Sequence, residues 1–164
     1  MSILIEKTLK QAITAHQKEN LKEAEGLYRT VLDFYPQHPD ANHNLGLIAL
    51  SVNNIEAALP FFKNALKSDP KKEQFWVSYI QALLSVRQFQ SAKNVLTQGK
   101  KHGLTKARYL FIDAQINLNQ GNLIDAEVCL KRAVSLKPDD IEAHYCLGCT
   151  IQKQDRLDEA EEVF

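Results

Sequence analysis

The stretch that decides the fold is DANHNLGLIALSVNNIEAALPFFKNALKSDP, residues 40–70. In its first half, apolar residues such as Leu45 and Ile48 recur at the spacing of one helix face. Two asparagines then interrupt the pattern, and a second helical pattern runs from Ile55 until Pro70 ends it. Two short helices joined by a turn of two or three residues form an antiparallel helical hairpin. The stretch therefore predicts such a hairpin.

The same pattern recurs along the whole chain with a period of thirty-four residues and no insertion. The rows cover residues 5–38, 39–72, 73–106, 107–140 and, incompletely, 141–164. One column of the alignment contains only alanine: Ala24, Ala58, Ala92, Ala126 and Ala160. A second column contains bulky residues: Tyr28, Phe62, Leu96, Leu130 and Phe164. Repetition at this period is typical of stacked hairpins, so we predict one solenoid domain over residues 1–164.

These columns resemble the tetratricopeptide repeat (TPR), a family of thirty-four-residue helix–turn–helix units. The resemblance rests on the alanine column, the prolines at 36, 70 and 138, and Leu45, Gly46, Trp76, Gly121, Leu147 and Gly148. It implies an all-α fold, a right-handed α–α superhelix of TPR helical hairpins. The third row departs most from the pattern, because Leu104 replaces the proline, and its second helix is predicted to end at Gly103.

The chain stops at Phe164, midway through the second helix of its fifth row, without a polar capping helix. We therefore expect these residues to be the N-terminal repeat region of a larger bacterial protein. Residues 15–46 are similar to repeat regions that precede glycosyltransferase or sulfotransferase domains, so one alternative function is a substrate-recruiting arm of such an enzyme. A second alternative is a self-assembling scaffold, with self-association through the uncapped C-terminal end.

Composition describes an ordinary globular chain. Twenty Lys and Arg balance twenty Asp and Glu, which gives no overall attraction to nucleic acid or to an anionic membrane. No apolar run approaches the length of a membrane span, and the first residues do not form a signal sequence. Three cysteines suggest a reducing compartment. We expect a cytoplasmic protein with a protein or peptide partner, and no nucleic acid or membrane partner.

The stretch HYCLGCTIQ, residues 144–152, contains the sequence's only CxxC. Its Leu147 and Gly148 belong to repeat columns, so the glycine is interpreted as a packing residue. Zinc would require four ligands, and no second CxxC or histidine pair is present. No phosphate-binding glycine loop or HExxH motif occurs either. We therefore predict no catalytic residue, no metal site and no cofactor.

The first helix of each row is predicted to line a concave, peptide-binding groove. The residues assigned to it are Leu9, Ile13, His43, Leu47, Val77, Gln81, Phe111, Gln115 and Tyr145. None is charged, which suits an apolar peptide or an amphipathic helix. The alternative interpretation is that packing between helices already buries many of these side chains. The sequence thus predicts a non-catalytic protein–protein interaction module that binds a peptide or partner domain.

Overall fold

The computed structural model describes residues 2–163, which form ten α-helices and no strand. None of these helices is both long and apolar enough to cross a membrane. In chain order they are α1 (Ser2–Gln17), α2 (Leu21–Phe34), α3 (Pro39–Ser51), α4 (Ile55–Ser68), α5 (Glu73–Ser85), α6 (Phe89–His102), α7 (Lys106–Asn119), α8 (Leu123–Leu136), α9 (Ile141–Gln152) and α10 (Leu157–Glu161). Each row of the sequence supplies two consecutive helices, and those of the first, second, fourth and fifth rows pack against each other as hairpins. The predicted all-α fold is confirmed.

The turn between the two helices of each row contains one residue in the left-handed backbone region. The five residues are Glu19 (φ 59°), Asn53 (φ 57°), Arg87 (φ 57°), Gly121 (φ 80°) and Asp155 (φ 59°). They are spaced by thirty-four residues, so the backbone repeats with the same period as the side chains. Only one of the five is glycine, although this region costs other residue types conformational energy.

The chain divides into two compact units, Met1–Val86 and Arg87–Phe164. In the first unit, α1, α2 and α3 bury a cluster around Tyr28, and α4 and α5 contribute to a second cluster around Phe62. A Cβ atom on Gly46 would lie only 2.6 Å from Cε1 of Phe62. The small residue at position 46 therefore allows the backbones of α3 and α4 to approach closely.

In the second unit, α7, α8, α9 and α10 share one cluster that includes Leu110, Phe111 and Leu130. Phe164, the fifth member of the bulky column, lies outside the described residues. The helix before this cluster ends at His102, and Gly103 follows it as its C-cap, as the sequence predicts.

A polar network joins α8 to the turn before α10 in the second unit. The carboxylate of Glu127, only 10% exposed, accepts bonds from Arg156 Nη1 at 2.7 Å and Gln154 Nε2 at 2.8 Å, and pairs with Lys131 at 2.6 Å. Arg156 also bonds Glu159 through its Nε, at 2.7 Å. Burial alone would raise the pKa of Glu127, but the bonds from Arg156, Lys131 and Gln154 outweigh it and lower that pKa to about 2.

The entry into a following hairpin is fixed by a side chain that bonds back to the carbonyl six residues earlier. Asn42 Nδ2 donates to Pro36 O at 3.0 Å, and Trp76 Nε1 donates to Pro70 O at 2.8 Å. His144 Nε2 lies 3.0 Å from Pro138 O. At the same two positions after the third row, the chain has the buried pair Leu104 and Leu110 instead. Loss of the proline thus coincides with loss of the polar donor.

Candidate protein-interaction surface

The nine predicted groove residues all lie on the first helices of their hairpins, but their exposure differs. Gln81 and Tyr145 are exposed, and His43, Val77 and Phe111 are buried. The half-buried ones are Leu9, Ile13, Leu47 and Gln115. Six of the nine therefore keep surface that a partner can contact. The first six in chain order belong to the first unit and the other three to the second.

His43 on α3 connects the first helices of two successive hairpins. It is 6% exposed, and its Nε2 lies 3.0 Å from the hydroxyl oxygen of Ser78 on α5. Its ring is 4.7 Å from that of Phe75 and 5.7 Å from that of Phe62, measured between centroids. Burial lowers the pKa of His43, which favours the neutral imidazole. These contacts give His43 a packing role on the face it was predicted to expose.

Phe111 in the second unit occupies the same column and is only 3% exposed. It belongs to the apolar cluster that also contains Leu147 and Ile151. The Arg108 guanidinium lies 5.4 Å from the centre of its ring and pairs with Glu142 at 3.4 Å. A peptide would therefore reach this column more readily at Tyr145, which is 62% exposed.

A buried hydroxyl group on α2, that of Tyr28, was not predicted from the sequence. Tyr28 is fully buried, and its hydroxyl makes no hydrogen bond among the described residues. Burial raises the pKa of Tyr28 to about 12, an effect that the nearby Asn44 side chain partly offsets. The ring of His16 lies edge-on to that of Tyr28, with 6.0 Å between centroids. The column predicts that the ring at position 28 is buried, but it does not predict that the hydroxyl on this ring lacks a hydrogen bond among the described residues.

The cysteines lie in helices, partly buried, without a disulfide. Cys129 Sγ is 3.7 Å from the carboxylate of Asp113, and burial is the main cause that raises the pKa of Cys129 to about 11. Burial raises the pKa of Cys146 as well. Across residues 2–163, no group of three or more His, Cys, Asp or Glu side chains is placed to hold a metal ion. The thiols of Cys129 and Cys146 are therefore poor nucleophiles at neutral pH.

Hairpins of thirty-four residues that pack on one another define a helical-repeat protein of the kind that serves protein interaction. Three family models described as "Tetratricopeptide repeat" match residues 9–73, 107–140 and 129–162. The chain belongs to the tetratricopeptide repeat family, and the columns read from the sequence are those of this family.

Solved structures share the fold. MamA (residues 41 to the end) from Desulfovibrio magneticus RS-1 is 19% identical, with a TM-score of 0.77 over 98% of this chain and 90% of that one. PilF from Pseudomonas aeruginosa is 16% identical, with a TM-score of 0.80 over 97% and 72%. TTC0263, a thermophilic TPR protein in Thermus thermophilus, is 20% identical, with a TM-score of 0.75 over 97% and 87%. A comparison with curated proteins gives no match. At such identities the likeness shows the fold alone.

Proposed function

We propose that the chain is a non-catalytic interaction module that binds an uncharged peptide segment along its first helices. The observation that carries the proposal is the exposure of six uncharged candidate residues, with Gln81 and Tyr145 the most open. Glutamine side chains bond to peptide backbone groups, and a tyrosine ring provides contact area at low entropic cost. Within each unit, such residues offer an extended peptide both polar and apolar contacts.

The test is selection from a random peptide library on the immobilised chain, followed by affinity measurement for the enriched peptides. We expect enriched peptides to be largely uncharged. The double variant Gln81→Glu with Gln115→Glu should weaken their binding by about tenfold, because it introduces charge beside apolar contacts. The control is the double variant Gln90→Glu with Gln98→Glu, which adds the same charge at exposed positions of α6. Equal affinity of the parent and the double variant would refute the proposal.

A further inference from the structure

A cavity of about 360 Å³ lies between α2, α3 and α4 in the first unit, away from the predicted groove residues. The residues that line it include the apolar Leu45, Ile48 and Phe61 and, on α2, the charged Glu25 and Arg29. The volume falls within the lower part of the range of ligand-binding pockets. Its lining combines apolar surface with an ion pair, which gives a partner side chain both kinds of contact.

The second unit has corresponding residues three rows later, where two of its own side chains bond to the counterpart of Glu25. Residues shifted by one hundred and two positions correspond: Glu25 to Glu127, Arg29 to Lys131, Val52 to Gln154, Asn54 to Arg156 and Ala57 to Glu159. In the second unit, Arg156 and Gln154 reach the Glu127 carboxylate. In the first unit, the shorter side chains of Val52, Asn54 and Ala57 line the cavity instead.

The carboxylate of Glu25, which lines the cavity, can accept a further hydrogen bond. Arg29 donates from Nε and Nη2 to the same oxygen of Glu25, Oε1, at 2.9 Å and 2.7 Å. The other oxygen, Oε2, has no hydrogen-bond donor among the described residues. In the second unit Glu127 uses one oxygen for Lys131 and the other for Arg156. Glu25 therefore has the first partner of this pattern and lacks the second.

We infer that this cavity binds an arginine side chain from a partner protein, whose guanidinium would bond to Glu25 Oε2 as that of Arg156 bonds to Glu127 Oε2. Carboxylate and guanidinium form strong, directional hydrogen bonds, and the arginine stem packs on apolar surface. Arg156 is itself held by Glu159, three residues further on. Lys22 also lines the cavity and would pair with an acid that accompanies the arginine in the partner. The occupant is thus a partner segment in which an acid accompanies the arginine.

The probe is a synthetic peptide with the sequence of residues 154–163, QDRLDEAEEV, titrated into the ¹⁵N-labelled chain. We expect amide shift changes at residues that line the cavity. Glu25→Gln should weaken binding by about tenfold, because it removes the charge that the guanidinium meets. The same peptide with Arg156→Gln should bind about tenfold more weakly. Glu56→Gln, an exposed carboxylate of α4 that does not line the cavity, should leave the affinity unchanged.

A second variant tests the cavity by filling it. Asn54→Arg supplies the arginine from the chain itself and should prevent the peptide from binding, with the fold checked by circular dichroism. The inference would be overturned if both peptides bind equally, if shift changes lie outside the cavity, if the peptide does not bind, or if Glu25→Gln has no effect. It is independent of the groove proposal, because the glutamine variants at positions 81 and 115 leave this cavity intact.

Discussion

The Phe62 ring packs against the backbone of Gly46 so closely that no side chain fits between them. Three ring carbons, Cε1, Cδ1 and Cζ, lie 2.6–2.9 Å from the position that a Cβ atom on residue 46 would take. Phe62 is itself fully buried, so the ring cannot move aside without disturbing its neighbours. This contact sets the separation of α3 and α4.

We predict that Gly46→Ala destabilises the chain by about 1–3 kcal/mol through overpacking. Chemical denaturation followed by circular dichroism measures this change. Adding Phe62→Leu to Gly46→Ala should recover part of the loss, because leucine occupies this column at positions 96 and 130. Unchanged stability of Gly46→Ala would contradict the assigned contact.

Replacement by alanine should change the stability in opposite directions at two glycines that have no close neighbour. A Cβ atom would contact nothing within 4 Å at either Gly26 or Gly121, but only Gly121 has a positive φ, 80°. Gly121→Ala should therefore cost about 1 kcal/mol, whereas Gly26→Ala, inside α2, should stabilise by about 0.5–1 kcal/mol. Melting curves of both variants measure the difference. Shifts of the same sign would show that the left-handed turn is not the cause.

The hydrogen bonds from the Asn42 side chain to the preceding loop should contribute to stability. The Asn42 amide is almost fully buried and donates to Pro36 O at 3.0 Å and to His38 O at 2.9 Å. Asn42→Leu should destabilise by about 1–3 kcal/mol, because it removes the donor from two carbonyl oxygens. Leu110→Ile, in the same column where no such bond exists, serves as the control and should cost less. Equal losses of unfolding free energy in Asn42→Leu and Leu110→Ile would show that the hydrogen bonds of Asn42 do not stabilise the fold.

Stability at acid pH should depend on Glu127. Its pKa is about 2 in the folded chain, below the usual value of 4.5, so its contribution is complete above about pH 4.5 and is lost as pH falls from there toward 2. Since Arg156 is a third exposed and Lys131 about half exposed, we expect about 2 kcal/mol after solvent screening. Glu127→Gln should flatten the dependence of unfolding free energy on pH in this window. Parallel pH profiles for parent and variant would contradict the network's role.

Helix positions could be predicted from the sequence because the repeat columns record packing that recurs in every row. Gly46 belongs to such a column, and its backbone lies against Phe62. The helix end at Gly103 was predicted instead from the preference of glycine for such ends, and Gly103 is the C-cap of α6. The donors Asn42, Trp76 and His144 were not predicted as a set. An amide, an indole and an imidazole share only an N–H group, so their column shows no residue preference.

Exposure within a column could not be predicted from the column itself. Phe111 is buried and Tyr145 is exposed, although both are aromatic and lie one row apart. Such a side chain is covered by residues from another part of the chain. Phe75 and Ser78 on α5, for example, cover His43 on α3. The sequence period identifies the face of the helix, whereas burial depends on the neighbour that packs against it.

The left-handed residue in each hairpin turn has a consequence for how a gene of this kind changes length. Because Asn53 and Arg87 both have a φ of 57°, loss of the thirty-four codons for residues 54–87 would join Asn53 to Gln88 with a positive-φ residue still preceding a helix. Recombination between two such turns adds or removes one whole hairpin and keeps every later column in frame. Recombination at these turns can thus change the number of repeats in a gene while each remaining repeat keeps its sequence.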